Sequence, residues 1–294
     1  MRSRVGGRPG YVDDVVDERE AHGTSPAGVS ETYTHGHHDS VVQSHRARTV
    51  ANSAAYLLPR LHPGLRVLDV GCGPGTITVE LADVVDPGEV IGVDASADVL
   101  GMAREEAAAR SRDNVRFEQA SAYSLAFDDD AFDVVHAHQV MHHLADPVAA
   151  LREMRRVCAP GGTVAVREAD YGGFTWFPEL PALDEWMRLF QDVTRANGGE
   201  PCAGRRLLGW AEAAGFSAVE PSASVWCYAT PAERVWWGES WADRMVSSAF
   251  GTHAVELGLA SRDDLETVAA GWRAWSRAPD GWFVLLHGEV LAAP

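Results

Sequence analysis

The 294-residue chain has no lysine; all 25 of its basic residues are arginine. A Schiff-base lysine is therefore excluded, and with it the usual pyridoxal-phosphate enzymes. A Walker A lysine is excluded too, which removes P-loop nucleotide hydrolases. A GC-rich coding sequence accounts for missing lysines without any functional cause, and the chemical exclusions hold either way. The four cysteines (Cys72, Cys158, Cys202, Cys227) form no C-x-x-C pair. That argues against a disulfide framework or a zinc ribbon and fits a reducing, cytoplasmic setting. No run approaches the ~18 apolar residues of a membrane span. Residues Met1 to Glu20 lack the apolar stretch of a secretory signal. No Pro-Pro occurs, so the Asn/Asp-Pro-Pro-aromatic motif of nucleic-acid methylation is missing. Tryptophan is absent from the first 175 residues.

What is present is acidic. The 42 acidic residues leave a formal charge of −17, which opposes binding to nucleic acid. At this length one large or two small domains are expected.

Residues 1 to about 30 mix Gly, Pro, Arg, Asp and Glu without periodicity and read as a disordered leader. From Ser40 to Leu61 the pattern is helical, until Pro63-Gly64 breaks it. Strands and helices then alternate. Arg66–Val70 reads as a strand, Thr76–Val85 as a helix, Val90–Val93 as a strand and Ala97–Arg110 as a helix. Val115–Gln119 and Phe132–Ala137 read as strands. Asp146-Pro147 opens a helix, with Gly161-Gly162 expected as its C-cap. Thr163–Arg167 reads as a fifth strand. This alternation builds a parallel sheet with helices on both faces.

After Asp170 the texture changes, and all ten tryptophans fall between Trp176 and Trp282. Helices are expected at Leu183–Arg195, Leu207–Ala214, Ala232–Ser248 and Ser261–Arg277. Strands are expected at Ala218–Tyr228 and Trp282–Leu291. The tryptophans either wall a pocket or pack the helices together.

The first strand runs into Val67-Leu68-Asp69-Val70-Gly71-Cys72-Gly73-Pro74-Gly75-Thr76. A glycine turn between strand and helix lets a ligand approach the backbone. The spacing is G-x-G-x-G, not the dinucleotide G-x-G-x-x-G. Asp69, just before the turn, suits an ammonium or sulfonium better than a pyrophosphate. Asp94 closes the second strand, where a carboxylate can accept both hydroxyls of a ribose. Ala120-Ser121-Ala122 follows the third strand, and His136-Ala137-His138-Gln139 ends the fourth.

These segments resemble class I S-adenosylmethionine-dependent methyltransferases, most of all the ubiquinone/menaquinone-biosynthesis-like small-molecule group. Val67 to Thr76 is similar to their motif I, and Ile91 to Ser96 to their ribose-binding motif. Phe127 to Val135, His142 to Pro147 with Leu151-Arg152-Glu153, and Pro160-Gly161-Gly162 complete the pattern. The resemblance runs from about Gly64 to Tyr171 and recurs weakly at Ala214-Gly215-Phe216.

It implies a Rossmann-like, seven-stranded, mostly parallel α/β sheet whose last strand, Trp282–Leu291, is antiparallel, plus a helical C-terminal insertion. It implies S-adenosylmethionine as cofactor and S-adenosylhomocysteine as product. Gly71, Gly73 and Gly75 would meet the methionine part, and Asp69 its amino group, directly or through water. Asp94 and Ala95 would hold the ribose. Ser121 and Ala122 would edge the adenine; the family usually has an acid at 121. The resemblance divides the chain into a leader (1–30), a helical lid (31–62), a cofactor-binding core (63–172) and a substrate cap carrying the last strands (173–294).

His138 is the candidate base, also placed against the cofactor, with Asp170 and Tyr171 on the pocket rim. Tyr33, His37, His38, His142, His143 and Trp176 are candidate lid or substrate residues. His35, His37, His38 and His45 could in number hold a metal, but no carboxylate is paired with them and neighbours on a helix diverge, so no metal is expected. The function expected is methyl transfer to a small acceptor, aromatic or polycyclic, in the cytoplasm, without nucleic-acid or membrane partners; a homodimer through the insertion is allowed. The alternatives are a non-methylating reaction on the same fold and a non-catalytic binding protein.

Overall fold

The computed structural model describes the backbone of His22–Thr24 and Ser30–Thr32, then His45 and residues 47–294. The first two segments pair as a short antiparallel ladder. The expected leader otherwise lies outside the described residues, as do Tyr33, His35, His37 and His38.

The chain enters through a one-turn helix α1 (Val50–Ser53), which Thr49 and Asn52 close with a reciprocal capping box. Of the helix expected over Ser40–Leu61, the described residues show a helical His45, α1 and a single 3-10 turn at Leu58–Arg60. Val50, Ala54 and Leu57 are nonetheless buried in one cluster with Leu81 of the next helix, whereas Leu58, which the helical pattern also places on the apolar face, is 39% exposed.

The core then alternates as read. Strand β1 (Arg66–Val70) leads to α2 (Thr76–Val85), β2 (Glu89–Asp94), α3 (Ala97–Ala109) and β3 (Val115–Gln119). Strand β4 (Phe132–His138) leads to α4 (Pro147–Val157) and β5 (Cys158–Ala169). Asp146 caps α4 by accepting from Ala149 N at 3.0 Å, with Pro147 in the first turn. The far end corrects the expectation. The helix stops at Val157, and Cys158 is already in β5. Gly161 and Gly162 serve the strand instead: pairing jumps from Phe132↔Cys158 to Val134↔Thr163, and residues 159–162 loop out between. This is an enlarged bulge, for which Gly161 supplies the positive φ of +84°.

Beyond β5 come β6 (Thr175–Phe177), α5 (Pro181–Ala196), α6 (Leu207–Ala214) and β7 (Ala218–Tyr228). Helices α7 (Pro231–Ser247), α8 (Ala249–Glu256) and α9 (Arg262–Arg277) precede β8 (Trp282–Ala293). The main sheet runs β3-β2-β1-β4-β5-β8-β7, and β6 pairs with the first residues of β8. All neighbours from β3 to β5 are parallel; β8 is antiparallel to both β5 and β7. The expected Rossmann-like sheet with a reversed last strand is thus present. Strand order reverses between β1 and β4, and such a switch point opens a crevice at the carboxyl ends of the strands.

The tryptophans divide between the two readings. Trp186, Trp272 and Trp275 are fully buried in a hydrophobic cluster of the C-terminal half, with Trp186 edge-on to Trp272 at 4.9 Å. Trp226, Trp237 and Trp241 border a cavity. Among the described residues no helix is long and apolar enough to cross a membrane.

Candidate functional site

A cavity of about 230 Å³ opens at the carboxyl ends of β1, β2 and β4. Its floor is the turn from β1 to α2. Gly71 N and Cys72 N both donate to Val93 O, at 2.7 and 3.0 Å, which bends the chain sharply across β2. Gly71 and Gly73 have φ of +69° and +54°, conformations that favour glycine. A Cβ on Gly71 would stand 2.3 Å from Val140 Cγ2, whereas one on Gly73 would meet nothing within 4 Å. Gly73 therefore faces open space in the cavity. Gly75 does not line it; it packs behind the turn against Ala103 and Phe117.

The two glycines should respond differently to substitution. Gly73→Ala bears only the left-handed backbone cost, about 1–2 kcal/mol. Gly71→Ala adds an overlap with Val140, roughly another 1–3 kcal/mol. Thermal denaturation should show the larger Tm loss for Gly71→Ala. Equal losses would mean that Val140 yields freely.

Asp94 sits on the rim. Its Oδ2 accepts from Gly73 N and its Oδ1 from Ser96 N, both at 3.0 Å. The carboxylate thereby joins the glycine turn to the loop after β2. Ala95, Ser121 and Ala122 line the same cavity. Ser121 Oγ accepts from Tyr123 N at 3.2 Å. Asp69 borders the cavity but is only 3% exposed. Thr78 Oγ1 donates to its Oδ2 at 2.6 Å, and His136 Nδ1 lies 2.8 Å from its Oδ1. Both carboxylate oxygens are thus engaged within the fold.

His138, the last residue of β4, is buried at the cavity wall. Among the described residues neither ring nitrogen has a hydrogen-bond partner. Burial, reinforced by Arg48 and Arg167, holds its pKa well below the ordinary histidine value, so the ring is neutral. A neutral imidazole with unengaged nitrogens can accept a proton.

A second, smaller cavity of about 40 Å³ adjoins the first and shares His45, Arg48, Gln139 and His143 with it. Its walls include Tyr171, Phe174, Trp226, Tyr228, Trp237 and Trp241. Arg244 also lines it, stacked 4.9 Å over the Trp241 ring. Tyr171, expected on the pocket rim, lines this second cavity and not the first. Asp170 does not: it lines neither cavity, and Arg205 Nε and Nη2 grip its carboxylate at 2.7 and 2.6 Å. Trp176 also lines neither, because it stacks on Phe283 of the C-terminal hydrophobic cluster at 5.8 Å.

Gln139 stands between the cavities. It has φ of +55°, unusual for a residue with a side chain and a common mark of functional sites. Arg48 Nη2 donates to its Oε1 at 2.6 Å. That orients the amide so that Nε2 donates to His287 Nε2, 2.9 Å away. His287 then carries its proton on Nδ1, facing Leu285 O at 3.2 Å. Arg48, Gln139, Tyr228, Arg244 and His287 were not singled out from the sequence. Only Gln139, beside His138 at a strand end, carried a local signal there.

His142 and His143 line the second cavity. His142 Nδ1 lies 2.7 Å from Glu168 Oε2, with both groups buried. Burial pushes the Glu168 carboxyl up to about 8 and the His142 imidazole down to about 3. In the unfolded chain these groups titrate near 4.5 and 6.5. Between pH 6.5 and 8 the folded pair therefore holds a proton that the unfolded chain has lost, and stability falls as pH rises. Between 4.5 and 6.5 both states hold one proton and the contribution is flat; below 4.5 the unfolded chain holds more, and stability falls with acid. Tm measured against pH should show this plateau, and Glu168→Gln should remove the decline above pH 6.5.

Residues 61–215, more than half of the chain, match the family model described as a methyltransferase domain. The chain belongs to that family. A methyltransferase of Schizosaccharomyces pombe whose function is uncharacterized is 37% identical over 88% of this chain and 95% of its own length. A demethylmenaquinone methyltransferase of Staphylococcus aureus is 37% identical over 43% of this chain and 50% of its own. Among solved structures, the YcgJ protein of Bacillus subtilis superposes with a TM-score of 0.54 at 22% identity, covering 81% of this chain and 96% of that one. The chain is an S-adenosylmethionine-dependent methyltransferase with the class I fold.

Proposed function

We propose that this methyltransferase acts on a small aromatic acceptor whose reacting end enters the second cavity. The observation that carries this reading is that an aromatic-walled cavity adjoins the glycine-turn cavity and shares four residues with it. At about 40 Å³ the second cavity suits the reacting end of an acceptor rather than a polycyclic body.

The residues present fit the cofactor. The open face of Gly73 admits a ligand against the backbone, and the N-terminus of α2 has no side-chain cap. Gly71 and Gly73 would contact the methionine part, and Asp94 with Ala95 the ribose. Ser121 and Ala122 would edge the adenine. Asp69, with both oxygens engaged, would act on the amino group through water while it fixes the end of β1. When bound, S-adenosylmethionine supplies an electrophilic methyl group on a sulfonium.

The chain's own task is to align the acceptor and exclude water. His138 would take the proton of an acceptor hydroxyl, and Tyr171 and His143 would orient the acceptor. Residues 31–62 would form a lid, since His45 and Arg48 at its described end line both cavities. Residues 173–294 would form the substrate cap around the 63–172 core.

The test is to incubate the full chain with methyl-labelled S-adenosylmethionine and a pooled metabolite extract, then follow label by mass spectrometry. A labelled aromatic product is expected. A labelled non-aromatic product would overturn the acceptor class. With the acceptor in hand, His138→Gln should lower kcat roughly 10²–10⁴-fold for a hydroxyl acceptor. Its affinity for S-adenosylhomocysteine should stay within about threefold, as expected for a group that moves a proton rather than holds the cofactor. An unchanged kcat would remove His138 from the chemistry.

A further inference from the structure

Between β4 and α4 runs the loop that builds the junction of the two cavities. Gln139, Val140, His143 and Leu144 line the first, and Gln139, His142 and His143 line the second. The loop also meets the glycine turn, because the Val140 side chain fills the space where Gly71 lacks a Cβ. It contains no regular helix beyond the single turn Met141–His143. Its backbone N–H groups therefore need partners from elsewhere.

One side chain supplies them. Glu168, near the carboxyl end of β5, is completely buried. Its Oε1 accepts from Val140 N at 2.7 Å and from Met141 N at 2.6 Å. Its Oε2 lies 2.7 Å from His142 Nδ1. On the other side, His142 O accepts from Glu200 N at 2.9 Å. The His142 ring rests on His143, with centroids 3.7 Å apart. Three consecutive loop residues thus hang from one carboxylate on a neighbouring strand.

We propose that Glu168 is the positioning residue of this junction: through Val140, Met141 and His142 it holds the loop in the shape that walls both cavities, and so sets ligand affinity without touching a ligand. This rests on the reading of the first cavity as the S-adenosylmethionine site.

The hydrogen-bond logic separates two substitutions. Backbone N–H groups only donate, so Oε1 must stay an acceptor; the pair's proton lies between Oε2 and Nδ1. Glu168→Gln keeps the accepting oxygen. Its new NH₂ donates to His142 Nδ1 in place of the shared proton, and the imidazole keeps its own proton on Nε2. All three tethers survive. Glu168→Ala removes all three. The other titratable or charged groups around the pair are Arg48 ahead of α1, His143 on the loop, Tyr171 after β5, Tyr228 on β7, Arg244 on α7 and His287 on β8.

The experiment uses the full chain, with S-adenosylhomocysteine as the calorimetric probe and amide hydrogen exchange as the second readout. Glu168→Gln is expected to bind within threefold of the unsubstituted protein and to keep Val140 and Met141 amides protected. Glu168→Ala is expected to bind at least tenfold more weakly and to lose protection at those two amides. Rescue by glutamine alone marks tethering. Alanine binding within threefold, or glutamine failing as badly as alanine, would overturn the proposal. Should the alanine variant not fold, fast exchange of these two amides in the unsubstituted protein would overturn it equally, and strong protection kept in Glu168→Gln would support it. Absence of any S-adenosylhomocysteine binding by the unsubstituted protein would instead sink the reading of the first cavity, leaving the amide data to judge Glu168.

Discussion

Asp94→Asn is expected to weaken S-adenosylhomocysteine binding by about 3 kcal/mol, roughly a hundredfold in Kd. Two losses add. The carboxylate now accepts from Gly73 N and Ser96 N, one per oxygen. Asparagine keeps a single oxygen, so one of these N–H groups would face an NH₂ donor and the glycine turn would loosen. The negative charge that would accept ribose hydroxyls is lost as well. The fold itself should hold, because Asp94 is only half-buried at the end of β2. One lost loop bond is worth about 1 kcal/mol, a fall of roughly 2–4 °C in Tm for a domain of this size. Calorimetry with S-adenosylhomocysteine beside a thermal melt separates the two effects. Affinity within threefold of the unsubstituted protein would show that Asp94 braces the turn and holds no ribose.

The cofactor side of the site was readable because its parts are local. Strand Arg66–Val70, the glycine turn and helix Thr76–Val85 are consecutive, and each announces itself by composition. Strands β3 and β7 and helix α6 likewise begin and end where the sequence pattern places them. Where two structures share one local signature, reading failed. Gly161-Gly162 after a helical pattern looks like a cap, and only pairing with β4 makes it a bulge. Asp170 after a strand looks like a rim carboxylate, and only the fold brings Arg205 onto it.

The second cavity was less legible still. Its walls come from the segment before α1, the β4–α4 loop, the stretch after β5, then β7, α7 and β8. No spacing in the chain joins Arg48 to Gln139 or Gln139 to His287. The histidine pair was visible, but its buried tether Glu168 was not, since nothing local distinguishes that glutamate from a solvated one.

Glu289→Ala is expected to be the most destabilising of the substitutions considered. Glu289 on β8 stands directly opposite Arg167 on β5 and Ser222 on β7. Arg167 is 1% and Glu289 5% exposed, with Nε and Oε1 3.1 Å apart. Ser222 and Ser224 donate to the carboxylate, and the Trp226 ring covers the guanidinium at 4.9 Å. Burial pulls the Arg167 pKa down to about 10, so the group is still a cation at neutral pH. Removing Glu289 strands that cation where β8 enters the sheet. Breaking such a pair costs about 3–5 kcal/mol, or roughly 6–20 °C in Tm. Replacing both partners, Arg167→Met with Glu289→Leu, removes the stranded charge and should recover most of the loss. A double-mutant cycle of thermal melts measures the coupling; a loss below 1 kcal/mol for Glu289→Ala would show that the pair does not hold the junction. The double variant also reaches the chemistry. Arg167 is paired with His138 across β4 and β5 and is one of the cations that hold His138 neutral. Without it the imidazole pKa rises toward the ordinary value, so the acid limb of the methyl-transfer pH profile should move to higher pH. An acid limb that stays in place would mean that a group other than His138 takes the proton.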